Sequence, residues 1–186
     1  GAIRDKSRGA RWTDELLTRD VVSANILKQE GGIAYLITNE EMRLDNASLA
    51  GYVKKGYAIE GKTIEELAKA LEIDATALMA TMNTYGEAVK AGVDKEFNRE
   101  HLTQTLENGP YYALKVTPAI HHTMGGLKID NSTHVLTEEG TIISGLYAAG
   151  EVTGGVHGGN RIGGNAVTDI IVFGRIAGQM ASGEMK

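Results

Sequence analysis

The residues with the most chemistry to offer lie in, and ahead of, one glycine-rich stretch, Gly145–Asn165 (GLYAAGEVTGGVHGGNRIGGN). Arg161 stands within it, and a guanidinium offers a planar fork that matches a carboxylate through two parallel hydrogen bonds. The plainer alternative for Arg161 is a surface salt bridge. His121 and His122 are adjacent, a pairing that raises the question of a metal. Side chains of neighbouring residues on an extended backbone point to opposite sides, however, and no third ligand lies close in sequence, so no metal is expected. His134 and His157 read as structural or surface residues, and His101 falls in a polar loop. Arg19, far upstream, sits where a helical pattern begins; by residue type alone it is a surface cation.

Stepping outward from these residues, eight of the chain's 24 glycines fall in the stretch, interleaved with Val152, Val156 and Ile162. Flexible linkers are rich in Ser and Gly and poor in apolar residues, so this composition points to a loop that closes on a ligand. A strand-like run (Ile142, Ile143, Leu146, Tyr147) enters it, and a helix beginning AVTDIIVFGRIAG leaves it. Asn165 is expected to cap that helix, which would turn the N–H groups of Ala166, Val167 and Thr168 towards an anionic or electron-rich group. No two glycines are spaced two apart, so the GxGxxG dinucleotide fingerprint is absent.

The elements that must position these residues follow from pattern. A helix is expected over 20–27, with Val22, Ile26 and Leu27 on one face and Asp20 as its cap. The run Asp5–Arg11 reads as a turn after an incoming strand. Ile33–Ile37 reads as a buried strand and 39–55 as a helix. Thr63-Ile64-Glu65-Glu66 is a capping box for a helix over Ile64–Leu71. Asp74 caps another over Ala75–Ala91, ended by Gly92, and its Leu78, Met82 and Tyr85 stripe reads as core. Residues 93–109 are charged and loop-like. Tyr112–Thr117 alternates as a strand, and Leu127–Ile129 with His134–Leu136 flank a turn at Asp130-Asn131. Gly174 and Gly178 share one face of the last helix and would permit close packing against a neighbour.

At 186 residues, 42% hydrophobic and net charge −5, the chain has ordinary globular composition, enough for one domain or two small ones. The mildly acidic balance lacks the basic patch that nucleic acid requires. No apolar run reaches the length of a membrane span, and no signal peptide opens the chain. The absence of cysteine excludes disulfides and thiolate chemistry.

The run GLYAAGEVTGGVHGGNRIGGNAVTD closely resembles the signature of flavoprotein subunits of fumarate reductases and succinate dehydrogenases. It is most similar to soluble fumarate reductases of the flavocytochrome c type and their urocanate-reducing relatives. TRD at Thr18–Asp20, the Thr63–Leu71 helix and HHTMGG at His121–Gly126 follow the family's order. The resemblance implies an α+β chain: a capping (clamp) domain over 1–110, then, over 111–186, the C-terminal segment of a discontinuous FAD-binding α/β domain. The family's N-terminal GxGxxG half has no counterpart among these residues, so the chain is expected to be a portion of a larger flavoenzyme.

The same resemblance implies the site. Arg19 takes the place of the family's proton donor, an awkward acid because an arginine holds its proton so tightly. His121 and Arg161 are implied to grip a substrate carboxylate, with Gly164 beside them. His122 and Glu151 are implied to lie against FAD, and Asn165, Ala166 and Val167 to face the flavin N1/O2 edge, where the helix start favours the reduced, anionic form. The implied reaction is reduction of the C=C bond of an unsaturated (di)carboxylate, foremost fumarate to succinate, in the full-length parent. Reduction of urocanate or another enoate, succinate oxidation, and a silent cap module are the alternatives. The electron donor (a haem or flavin domain, reduced quinone or NADH) stays open, as does the compartment, whether bacterial periplasm, another extracytoplasmic setting or cytoplasm.

Overall fold

The computed structural model describes residues 2–4 and 9–183; of the expected turn over Asp5–Arg11, residues 5–8 lie outside the described residues. The contacts divide the chain into two compact units, Gly1–Pro118 and Ala119–Lys186.

The first unit is a four-stranded antiparallel sheet with helices on it. Its strands β1 (Ala2–Arg4), β2 (Ala34–Asn39), β3 (Ala58–Gly61) and β4 (Tyr111–Val116) are ordered β1-β2-β4-β3. β4 is therefore interior, with Leu36 opposite Leu114 on one side and Ile59 opposite Ala113 on the other. An interior strand buried on both faces reads as a near-continuous apolar run, and Tyr111–Leu114 are all buried. This strand belongs with the helical unit, so the division between the units falls at 118/119, after the boundary expected at 110/111.

Helices α1 (Arg19–Leu27), α2 (Glu40–Asp45), α3 (Ala47–Lys54), α4 (Ile64–Leu71) and α5 (Ala75–Ala91) complete the unit. The capping chemistry of α4 and α5 is as the sequence implies. Thr63 Oγ1 accepts the Glu66 N–H at 3.3 Å, and the Glu66 carboxylate accepts the Lys62 N–H at 2.8 Å, one residue earlier than the ideal box. Asp74 Oδ1 accepts the Thr76 N–H at 2.8 Å, and Gly92 stops α5 at φ 68°. Leu67, Leu71, Leu78, Met82, Tyr85 and Leu106 pack with Ile37 and Ala113 into one core.

Two expectations are corrected here. The single helix over 39–55 is two helices, because Asn46 takes an extended conformation and caps the second, accepting the Leu49 N–H at 3.0 Å. Asp20 does not cap α1. Thr18 holds that position without a side-chain capping bond, and Asp20 lies inside the first turn, where its negative charge still complements the helix dipole.

The second unit carries β5 (His134–Leu136) paired antiparallel with β6 (Ile142–Tyr147), and the long helix α6 (Asn165–Ser182). The expected turn at Asp130 is present: Asp130 Oδ1 accepts the Ser132 and His134 N–H groups, both at 2.9 Å, and Ile129 bridges Val135. The unit's burial is inverted from the usual pattern. Ile142, Ile143 and Leu146 of β6 and Val167, Ile170, Ile171 and Val172 of α6 are exposed, while the buried residue of α6 is Asp169. Nothing lies within 4 Å of a Cβ built at Gly174 or Gly178. Among the described residues, no helix is long and apolar enough to cross a membrane.

Candidate flavin- and carboxylate-binding site

The second unit holds all but one of the candidate residues on three segments that are stitched together. Residues 119–127 run beside 150–154, with Leu127 bridging Thr153 in parallel. The Leu127 N–H donates to the Val152 carbonyl at 2.8 Å and the Gly154 N–H to the Leu127 carbonyl at 3.0 Å. Two glycines make this approach possible. A Cβ at Gly126 would run into the Val152 carbonyl, and one at Gly154 would meet the Gly126 backbone.

The side chains reinforce the seam. Glu151 Oε1 accepts the Thr123 N–H at 3.0 Å, and Thr123 Oγ1 donates to the Glu151 carbonyl at 3.1 Å. Glu151 thus orders the histidine segment, and its side chain is exposed rather than sunk in the unit. His121 is exposed and His122 half-buried, as expected for neighbours pointing apart. His122 Nδ1 accepts the Met124 N–H at 3.2 Å, which fixes its ring and leaves the neutral ring's proton on Nε2.

Arg161 is buried at 8% exposure within the glycine loop. Its Nη1 donates to the Ile162 carbonyl at 3.1 Å, and its Nε is buried without an acceptor among the described residues. A surface salt bridge, the plain alternative for this residue, is not what the fold makes of it: no described carboxylate pairs with Arg161.

The start of α6 corrects the sequence expectation. Gly164, at φ 88°, holds the cap position and Asn165 is the first helical residue, so no side chain caps this end. The Asn165 N–H donates to the Ile162 carbonyl at 3.3 Å and the Val167 N–H to the Gly164 carbonyl at 2.9 Å. Of the three amides expected to face a ligand, those of Ala166, Val167 and Thr168, that of Val167 is therefore committed to the turn. The left-handed turn at Gly164 lets the loop fold onto its own helix, at the expense of a free N-terminus.

His157, expected to be a structural or surface residue, ties the glycine loop to α6. Its Nε2 lies 3.1 Å from Asp169 Oδ2, and its ring meets His122 edge-on, with centroids 5.3 Å apart. Asp169 Oδ1 is buried and has no partner among the described residues. His122, His157 and Asp169 bring ligand-capable atoms within 4.8 Å of one another, a third ligand that sequence spacing hid. Of these groups, His122 Nδ1 already accepts from Met124 and His157 Nε2 already meets Asp169 Oδ2, while Asp169 Oδ1 has no such engagement.

Arg19 belongs to the first unit. It opens α1, is exposed, and its side chain makes no hydrogen bond among the described residues. A cation in the first turn opposes the helix dipole, so this placement is not chosen for helix stability.

The FAD binding domain family matches residues 1–167. The chain is 46% identical over 182 residues to a fumarate reductase (cytochrome) of Shewanella frigidimarina, covering 98% of this chain and 32% of that one. It is 38% identical over 189 residues to a urocanate reductase of Eggerthella lenta, covering 97% of this chain and 31% of that protein. Among solved structures, the open conformation of a flavocytochrome c3 fumarate reductase superposes with a TM-score of 0.82 at 43% identity, over 98% of this chain and 32% of that one. The chain therefore spans about a third of the length of these relatives.

Proposed function

The chain belongs to the FAD binding domain family, and from that membership we propose that its full-length parent is an FAD-dependent reductase of the C=C bond of an unsaturated carboxylate, with fumarate as the foremost substrate. The observation that carries this proposal is Arg161: a guanidinium in a glycine loop, buried, with an Nε donor that no described group satisfies. A buried unpaired donor is costly, and a carboxylate supplied by a ligand would resolve it.

FAD, when bound, supplies the hydride. The chain's own residues hold and polarise the substrate. Arg161 and His121 grip one carboxylate and stabilise the negative charge that develops there as hydride adds to the distal alkene carbon. Arg19 gives the proton to the carbon beside that carboxylate, and so completes the addition of one hydride and one proton across the double bond. His122, Glu151 and the Gly164–Val167 turn form the wall towards the cofactor, and the exposed apolar residues of β6 and α6 make the surface on which the rest of an FAD domain would pack. In this assignment the first unit serves as the capping domain and the second as the returning part of the FAD domain.

A urocanate or other enoate reductase is the second possibility, favoured by the identity to a urocanate reductase. The two differ in how the second end of the substrate is held. Turnover of fumarate, urocanate and acrylate by the purified full-length protein with reduced viologen decides between them. A ratio of kcat/KM favouring fumarate supports the proposal; a preference for urocanate replaces it.

A further inference from the structure

Arg19 is exposed and unbonded, yet a proton donor must be held in register with one carbon atom. Arg19 opens α1, whose Ile26 and Val22 pack with Ala34 and Trp12, so its position is set by that helix together with the segment that leads into it. Residues 9–18 form no helix or strand, so side chains must do the holding. They do so through charge. The Arg11 Nε and Nη2 donate to the two oxygens of Glu15 at 2.8 and 3.0 Å, and Nη2 also donates to Asp94 Oδ2 at 2.8 Å. Arg99 Nη1 donates to Glu15 Oε2 at 3.0 Å. The Arg11, Glu15 and Asp94 side chains are 1%, 4% and 1% exposed, and Arg99 is 9% exposed.

Aromatic rings complete the enclosure. Arg11 lies over Tyr85 at 5.3 Å and over Phe97 at 4.8 Å, and Arg99 lies over the same Tyr85 ring at 5.4 Å. Asp94 Oδ1 in turn accepts the Glu96 and Phe97 N–H groups, which fixes the loop it comes from. Beyond the cluster, Asn25 Nδ2 of α1 donates to Thr13 Oγ1 at 3.2 Å, and the Leu16 N–H donates to Asp14 Oδ1 at 2.8 Å. From Arg11 to the start of α1 the chain is thus pinned to α5, to the 94–99 loop and to α1 itself. Apolar packing could bury such a segment; it could not set its register as directionally as paired, two-pronged ion pairs do.

We propose that the Arg11–Glu15–Asp94–Arg99 cluster is a positioning device for Arg19, fixing the approach of the 12–18 segment so that the guanidinium of Arg19 meets the substrate carbon. The proposal rests on the assignment of Arg19 as proton donor. Misplacement by about 1 Å can cost about 10²-fold in rate, so the cluster acts on kcat and leaves ground-state carboxylate binding to other residues.

The test uses the full-length protein with reduced viologen and fumarate. Glu15→Gln and Asp94→Asn are each made alone, and each again with Arg19→Lys, and kcat, KM, bound FAD and melting temperature are measured. Each single variant is expected to lose about tenfold or more in kcat while KM stays within about twofold and FAD content is unchanged. In the Arg19→Lys background the same substitutions are expected to cost little further, because the group they position is already out of register. Should one variant fail to fold, the other carries the same comparison. Near-normal kcat with a lowered melting temperature, or equal losses with and without Arg19→Lys, would overturn the positioning role. Near-normal kcat in Arg19→Ala alone would instead remove the donor assignment beneath it.

Discussion

His157 Nε2 sits 3.1 Å from Asp169 Oδ2, with the two side chains 10% and 2% exposed, and this pair closes the loop that carries Arg161 onto the helix that follows it. Glycine loops are entropically expensive to order, and here a single buried acceptor holds one end of the loop while the Gly164 turn holds the other.

Replacing that acceptor should therefore loosen the carboxylate grip. Asp169→Ala leaves the His157 N–H buried and unpaired, at a cost of about 1–3 kcal/mol. In the full-length protein the expected result is a lower melting temperature together with a raised KM for the carboxylate substrate. Thermal unfolding and steady-state kinetics on the same preparation check it; an unchanged KM would show that the loop holds its shape without the pair.

Arg161→Met tests the grip itself. Truncating the charged partner of a buried carboxylate typically costs about 2–5 kcal/mol. Because Arg161 is assigned to hold charge in both ground and transition states, KM should rise and kcat should fall together. Wild-type values of both would leave Arg161 a structural residue.

The buried cluster around Arg11 also sets an acid limit on the first unit. Burial alone would raise the carboxyls of Glu15 and Asp94, but the hydrogen bonds and charge of Arg11 outweigh it and hold both below the ordinary carboxylate range. Groups whose folded values are depressed contribute stability that is present above their unfolded values, about 4, and is lost as pH falls through the folded ones. Stability of this unit should accordingly be flat near neutrality and fall steeply only below about pH 4. Melting temperature against pH checks this; in Glu15→Gln the acid limb should be shallower, and an unchanged limb would contradict the assignment.

What could be read ahead of the fold was local. Thr63, Asp74 and Gly92 announce their helix ends because a cap needs only its own neighbours. Ala58–Gly61 carries no such signal: it is a four-residue strand whose partner, β4, lies some fifty residues later. Asn46 splits the 39–55 helix because a side chain that can bond its own backbone competes with helix continuation, an outcome that apolar spacing does not reveal. At the site, Arg161 stood out by type and setting, but its burial did not. His157 read as a structural or surface residue because its partner, Asp169, is a turn of helix beyond the loop, and Arg11 read only as the end of a turn because Asp94 is 83 positions away. The cap of α6 misled for a physical reason: Asn165 is a good capping residue, but the preceding glycine reaches a positive φ that bends the loop one residue earlier.

The assignment that most needs a direct measurement is proton delivery by Arg19 in an FAD-dependent reduction. The full-length protein is reduced anaerobically and mixed with fumarate while flavin absorbance is followed and succinate is quantified. The wild type is expected to reoxidise its bound flavin and form succinate in equal amount. Arg19→Ala is expected to retain the flavin and the substrate affinity yet stay reduced, and Arg19→Lys to recover a small part of the rate, since an ammonium can donate a proton without the guanidinium's geometry. A protein without bound flavin, or an Arg19→Ala variant that reoxidises at the wild-type rate, would contradict the account.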